Sequence, residues 1–417
     1  MSVQLKEIIT ISALRTKSAI LWTSLFNEFL FSIYGLLAFI LRKDLGATAF
    51  QIALLAMLKP VVSLFSSYWS ERVAGRKHLL KPSIFWAGIL ARVPFLLFPF
   101  MDNVWFFIIS AALHMLFSRA GTPAWMEVLK ITLPKREREK FFSLGSAIGY
   151  GEGVLIAIAF GFLLDHYSFL WKWLFFLSAF LGIIGVFIQN RIPLAEEELP
   201  PKKENKESNP FLMAPWVAAW NLMQQRKDFA RFQWGYMACG FGLMLIHPAL
   251  PLFFVDVLHL SYSDLAIAFS IAKGMGFVFS SSLWARAMSK VHVSKLSGMV
   301  FLGVALFPLF LFLAPFHLFW LYLAYFVYGV AQAGSHLIWN LSGPIFARSE
   351  DSSLFTHVNI LTVGVRGLIA PPIGSALCVC FGPVFVLFAS MFLCVYASRI
   401  LLSRKSFLKQ KVADAPN

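Results

Sequence analysis

Charge is scarce in this chain. Only 14% of its 417 residues are Asp, Glu, Lys or Arg, against about a quarter in an average soluble domain, and carboxylates are the scarcer kind, 21 against 36 Lys and Arg. Cysteine is scarce as well. Cys239, Cys378, Cys380 and Cys394 all fall in apolar runs with no His or Cys partner at zinc spacing, so they read as small core residues, and neither a disulfide nor a metal is expected. No Gly-x-x-x-x-Gly-Lys-Ser/Thr loop occurs, which argues against direct ATP hydrolysis, and no cofactor is expected. The first apolar run lacks a small-residue cleavage site and follows Lys6, Glu7, Arg15 and Lys17, so it is expected to stay as a helix and not to be removed as a signal peptide.

What fills the chain instead is apolar: 59% of residues, 45 of them Phe. A soluble surface cannot be made from that composition. A membrane-crossing helix needs about 20 apolar residues at 1.5 Å each, and twelve such runs are legible, near 18–41, 50–69, 80–100, 104–129, 142–165, 170–189, 229–256, 262–288, 294–314, 317–341, 357–380 and 382–402. The chain is therefore read as an all-α membrane protein. A formal charge of +15 would suit a nucleic-acid partner, but its distribution follows loop parity. With both termini on one side, the opposite side receives only Arg42, Lys43 and Lys172, while Arg72, Arg76, Lys77, Lys81, Lys135, Arg136, Arg138 and Lys140 fall on the side of the termini. That is the positive-inside pattern. It predicts a multi-pass protein of the cell (inner) membrane, both termini cytoplasmic, with the bilayer and not nucleic acid as its surroundings.

The two halves echo each other. Lys59 and Lys273, Phe65-Ser66-Ser67 and Phe279-Ser280-Ser281, Trp125 and Trp339, and Glu152-Gly153 and Arg366-Gly367 are each 214 positions apart, which points to a duplicated membrane bundle. Between them Glu196 to Glu207 is charged, proline-containing and aperiodic, a linker. After it, Trp216, Trp220 and Met223 at spacings of four and three suggest a short amphipathic helix within 211–227 lying at the cytoplasmic interface. The expected organisation is an N-terminal six-helix bundle over 1–188, a cytoplasmic linker with that helix over 189–228, a C-terminal six-helix bundle over 229–405 and a tail over 406–417.

Leu45-Gly46-Ala47-Thr48-Ala49-Phe50-Gln51-Ile52, followed by Ser67-Tyr68-Trp69-Ser70-Glu71-Arg72-Val73-Ala74-Gly75-Arg76-Lys77, resembles the major facilitator superfamily, whose loop between helices two and three carries Gly-x-x-x-Asp-Arg-x-Gly-Arg-Lys. Ser67 stands in place of the first Gly, Glu71 in place of Asp, and one extra residue precedes Gly75. Arg119-Ala120-Gly121-Thr122-Pro123-Ala124-Trp125, Trp171-Lys172-Trp173 and Val365-Arg366-Gly367 to Pro372 extend the resemblance along the chain. It implies two pseudo-symmetric six-helix bundles, twelve spans in all, rocking about a midplane site, with helices one, four, seven and ten lining the cavity. It further implies a cytoplasmic gate at Glu71, Arg72, Arg76 and Lys77, which as residues alone are equally solvated positive-inside charges.

Charges inside spans identify the groups that must face protein or water, since each costs about 2.5–3.5 kcal/mol at the bilayer centre. The cations are Lys59, Arg92, Arg119, Lys273 and Arg366. Ser24, Glu28 and Ser32, with Asn27 and Tyr34 beside them, form a polar face on the first helix. Glu28 is a candidate proton carrier, because a carboxylate taken out of water can pick up and release a proton as its surroundings change; alternatively it pairs permanently with a base such as Lys59. On the tenth helix Tyr325, Tyr328, Gln332, Ser335 and Trp339 share a face, suited to a polar solute or to packing. His247 and His114 are either cavity groups or buried structural histidines. Lys59 and Lys273 could grip an anion from both sides, joined by Arg119 or Arg366, while Arg366 and Glu152, 214 positions apart with opposite sign, could link the bundles. Gly145, Gly149 and Gly153 form a small-residue stripe on helix five.

The candidate substrate-binding residues are thus Asn27, Tyr34, Lys59, Arg119, His247, Lys273, Gln332 and Trp339, and the candidate coupling residues Glu28, Glu152 and Arg366. Together they describe a secondary transporter of a small polar, anionic solute, proton-coupled as a working hypothesis, acting as a monomer and not as an enzyme. Proton-driven multidrug export is the alternative within the family, although helix five lacks the Gly-Pro pair of that group. A membrane-embedded transferase, or a sensor that binds a solute without moving it, are the rivals from other classes.

Overall fold

The computed structural model describes residues 3–64, 77–193, 214–347 and 352–403, and among them every regular element is helical. In chain order they are α1 (Val3–Leu45), α2 (Ala49–Leu64), α3 (Leu80–Phe100), α4 (Val104–Thr132), α5 (Lys135–His166), α6 (Leu170–Asn190), α7 (Ala214–Gln225), α8 (Lys227–Val257), α9 (Tyr262–Met288), α10 (Val293–Leu313), α11 (Phe319–Ala347), α12 (Ser352–Phe381) and α13 (Pro383–Leu402). Twelve of these match the apolar runs, and α7 falls where a short helix was expected within 211–227, with Trp216 and Trp220 exposed on it.

Ten of the twelve are both long and apolar enough to cross a membrane. The two that fall short have different reasons. α2 is described over only 16 residues, and α11, though 29 residues long, carries Tyr322, Tyr325, Tyr328, Gln332, Ser335, His336, Trp339 and Asn340. A helix that polar is poor company for lipid and good company for a wet interior. The outer surface of the spans is the reverse: Leu155, Val278, Phe279 and Phe392 are each about two-thirds exposed or more, as lipid-facing side chains should be and as a water-facing surface would not tolerate. Cys380 is exposed in this way too, so one of the four cysteines expected in the core lies on the outside.

The first helix begins well before the expected residue 18. Its polar N-terminal stretch is held to neighbouring helix ends: Ser12 donates to the Pro193 carbonyl (2.9 Å), Arg15 donates to the Arg191 carbonyl (2.9 Å), and Lys17 pairs with Glu137 (2.8 Å). Carbonyls at the end of α6 have no intrahelical partner, so a guanidinium there satisfies an orphan acceptor and the negative helix terminus at once.

The residues cluster into two compact units. Unit 1 comprises Met1–Ala47, Val62–Lys206 and Ser261–Ala266; unit 2 comprises Thr48–Val61, Glu207–Leu260 and Ile267–Asn417. The core of unit 1 is aromatic. Phe95, Phe98, Phe107, Trp171 and Phe175 are fully buried, with ring centroids 4.7 Å apart for Phe98 and Phe107 and 4.9 Å for Phe98 and Phe175. Rings set edge-to-face, as Phe98 and Phe107 are, add about 0.5–1.5 kcal/mol per pair beyond burial.

Unit 2 is held more by backbone proximity. A Cβ on Gly276 would collide with the Phe326 carbonyl, and one on Gly329 with the Lys273 carbonyl, so α9 and α11 approach backbone to backbone through a reciprocal glycine pair. A neutral polar chain crosses the same unit: the Gln233 amide donates to Asn359, which donates to Ser342 (2.8 Å), and Thr362 donates to Gln233 (3.3 Å).

Each half also contains a tight entry into a helix that matches one in the other half. Gly46 (φ 64°) precedes Thr48, which caps α2 reciprocally with Gln51, and His259 (φ 50°) precedes Ser261, whose hydroxyl accepts from the Asp264 N–H and donates to the Asp264 carboxylate. The left-handed conformation is easy for Gly46 and strained for His259. Two five-residue π turns flank the second of these corners, Phe253–Val257 before it and Ala268–Ala272 after it.

Candidate functional site

The polar face of α11 opens on a cavity of about 260 Å3 within unit 2, lined also by α8, α10 and α12. Arg366, midway along α12, dominates it. Its Nη1 donates to the Tyr236 carbonyl (2.6 Å), and its guanidinium lies over the Trp339 ring at 5.5 Å. Gly240 is what makes room, because a Cβ there would collide with the guanidinium. Arg366 Nε is buried with no hydrogen-bond partner. The buried Tyr236 hydroxyl faces Ser297 and Ser335 without reaching hydrogen-bond geometry with either. Tyr328, Gln332, Ser335 and Trp339 of the predicted stripe line the cavity, whereas Tyr325 is buried and packs on Phe254, Phe269 and Phe307. Four members of the stripe therefore line the cavity and the fifth packs against neighbouring rings.

Tyr328 connects the cavity to a cationic cluster. Lys273 lies over the Tyr328 ring at 5.7 Å and over Phe269 at 4.2 Å, and Lys59, Lys273 and His247 stand within electrostatic reach of one another. Lys59 is exposed although it sits within a span, where a charge turned to lipid would be costly. Carboxylates are nearly missing from unit 2: among its described residues only Asp228, which is paired with Arg226 (3.1 Å), and Asp256, in the outer π turn, carry one. Three cations inside the spans, Lys59, Lys273 and Arg366, thus share an interior with little negative charge of its own.

Unit 1 has the complementary chemistry. The Glu28 carboxylate lies against the bare Cα positions of Gly149 and Gly153, where Cβ atoms would fall 2.9 Å and 2.8 Å from its oxygens, and Gly145 meets Ser24 in the same way. The glycine stripe of α5 is therefore the seat of Glu28 on α1. Glu152 is in electrostatic contact with Glu28, and its Oε2 has no hydrogen-bond partner. Glu28 forms no ion pair among the described residues.

The remaining sequence candidates in unit 1 are engaged structurally. Asn27 accepts from Arg92 (2.6 Å), which also donates to the Gly88 carbonyl (2.8 Å). Tyr34 packs on Phe95 and His114, and His114 is buried with Nδ1 2.9 Å from the Ala91 carbonyl. Arg119 is partly exposed and forms no ion pair among the described residues. Glu71, Arg72, Arg76 and the side chain of Lys77 lie outside the described residues.

At the other end of unit 1 the segment Ser261–Ala266 is clamped. Asp165 accepts from the backbone N–H groups of Tyr262 (2.7 Å) and Ser263 (3.0 Å), Tyr262 donates its hydroxyl to Asp44 (2.6 Å), and Lys43 sits over the Tyr262 ring at 4.3 Å. Gly161 permits the approach, since a Cβ there would fall 2.9 Å from Ser263 Cα. A carboxylate on a helix N-terminus satisfies orphan donors and the positive end of the dipole together.

The chain matches the family model described as Major Facilitator Superfamily over residues 20–356. No curated protein sequence matches it. Among solved structures it is similar to a peptide transporter, POT, in complex with alafosfalin, at 12% identity and TM-score 0.73 over 94% of this chain and 95% of that one. It is also similar to the nucleoside transporter NupG, at 15% identity and TM-score 0.69 over 94% and 99%. A bacterial homologue of the human lysosomal transporter Spinster matches at 15% identity and TM-score 0.60 over 96% and 98%. At these identities the structures share the fold.

Proposed function

Because the chain belongs to the major facilitator superfamily, and so is a multi-pass membrane transporter and not an enzyme, we propose that it moves a small anionic solute by alternating access with a proton as the driving ion. The observation that supports the anion is the charge ledger of unit 2. Arg366 lines the polar cavity with its Nε unpartnered, Lys273 lies over the Tyr328 ring at the cavity wall, and the described residues of the unit hold only Asp228 and Asp256 as carboxylates. A buried charge without an opposite partner is costly, and a solute anion supplies the partner. Glu28, seated on the α5 glycines beside Glu152, is the proton carrier in this scheme.

The test is stabilisation of the purified full chain by a panel of anionic, neutral and cationic metabolites, followed by counterflow of each stabilising solute in liposomes. The stabilising solutes should be anions, and Lys273→Gln should weaken them roughly tenfold, about 1.4 kcal/mol, as expected for one lost charge-assisted contact. A panel in which only neutral or cationic solutes bind would overturn the anion. The loop charges support an orientation with both termini in the cytoplasm and a place in the inner membrane of the cell. A cysteine at Asn205, in the polar linker, should accordingly react with an impermeant reagent only after the cells are opened; labelling of intact cells would invert the topology.

A further inference from the structure

We propose that the cavity of unit 2 receives a small flat carboxylate, a carboxyl group borne on a single ring, and that Arg366 holds it at two points through Nε and Nη2. The proposal rests on the anion-transport reading and gives it a substrate class.

Arg366 is already fixed on three sides. Nη1 is used by the Tyr236 carbonyl, one face of the guanidinium is covered by Trp339, and its plane is backed by Gly240. What remains is one edge. Nε–H is buried and unpartnered, and Nη2 makes no hydrogen bond among the described residues. On a guanidinium these two N–H bonds run parallel at the separation of two carboxylate oxygens, the geometry of a bidentate pair. A lysine cannot make that contact, because its ammonium is a point charge on a flexible stem. Buried donors in folded proteins are nearly always paired, and unit 2 has no described carboxylate near the cavity to pair this one.

The walls specify the rest of the solute. Tyr236, Phe301, Tyr328 and Trp339 present four aromatic rings to the space, with Phe301 standing edge-on to Tyr236 at 4.9 Å. Flat faces favour a flat guest, through offset or edge contacts between rings. About 260 Å3 lies just under the range usual for ligand pockets, so one ring fits where two would not. Gln332 makes no hydrogen bond among the described residues and lines the same space, which leaves its amide for a polar ring substituent. The Lys59, His247 and Lys273 cluster attracts the anion, and Arg366 orients it.

Benzoate, benzamide and inorganic phosphate are suitable probes, read by thermal shift and calorimetry on the purified full chain. Benzoate should bind and stabilise, and benzamide, the same ring without the charge, should not. Arg366→Lys keeps the charge and loses the fork, and should weaken benzoate by about tenfold or more. Gln332→Glu keeps every cation and places a resident carboxylate in the cavity, so it should abolish benzoate binding without lowering the melting temperature; it decides the matter if Arg366→Lys does not fold. Unchanged benzoate affinity in both variants would overturn the proposal. Binding of phosphate with none of benzoate would overturn the flat carboxylate and leave anion transport standing. Failure of the wild-type chain to bind any anion would overturn both.

Discussion

Replacing Glu28 by Gln should collapse uphill accumulation of substrate while leaving exchange across the membrane largely intact. The carboxamide has nearly the shape of the acid, and the site is a tight one, with the carboxylate lodged against Gly149 and Gly153, so shape is what must be conserved if the result is to be read as chemistry. With one proton carried alongside one monoanion, each pH unit of gradient is worth ~1.36 kcal/mol, about tenfold in concentration. In liposomes with an imposed pH difference the wild-type chain should approach that ratio and Glu28→Gln should level off near unity. Counterflow, which moves no net proton, should persist. Uphill transport at the wild-type level in the variant would remove Glu28 from the coupling and leave Glu152, in electrostatic contact with it, as the carboxylate to examine.

The largest loss of stability is expected from Gly329→Ala. Its added Cβ would run into the Lys273 carbonyl, and the obstructing atom is backbone on a packed helix, which cannot rotate away. Overpacking of this kind costs roughly 1–3 kcal/mol and more where the backbone must shift. Because the displaced carbonyl belongs to Lys273, anion binding should fall together with the melting temperature. Gly274→Ala is the matched control, since a Cβ there meets nothing within 4 Å, and in a helix it should be neutral or mildly stabilising by up to ~1 kcal/mol. Equal melting temperatures for the two variants would show that α9 and α11 are not held by their glycine contact.

Helices were the part of this molecule that could be read directly, because about 20 apolar residues in a row leave few alternatives. α11 was readable even with its eight polar and aromatic interruptions, since they repeat at helical spacing. The requirement that Arg92 face protein was also legible from cost alone; its partner Asn27, 65 residues away, was not, because an amide on a cavity-lining helix looks the same whether it serves a solute or a neighbour. Glycines told half of their story: the stripe Gly145, Gly149 and Gly153 signalled a close helix contact, but not that Glu28 fills it. Tyr236 and Phe301 carried no signal, being two rings in a chain with 45 Phe and 10 Tyr. Gly240 could have been suspected only by knowing that Arg366 would arrive beside it. The Asp165 clamp was invisible for another reason, as its partners are backbone N–H groups 97 and 98 positions away, and backbone donors leave no mark in a sequence.

The π turn at Ala268–Ala272 bears on how the two halves of the chain came to differ in length. Upstream of it the equivalent landmarks, Gly46 and His259, Thr48 and Ser261, Gln51 and Asp264, are 213 positions apart; downstream, Lys59 and Lys273 are 214 apart. One residue has been gained between Asp264 and Lys273, or lost between Gln51 and Lys59, and the single described irregularity in that stretch is the π turn. An extra residue in an unbroken α-helix would swing everything after it by about 100°, turning Lys273 off the face that Lys59 occupies in its own helix. A π bulge swallows the residue locally. The gap that any pairing of the two halves must place therefore belongs inside Ala268–Ala272, where a change of length left the direction of a lysine untouched.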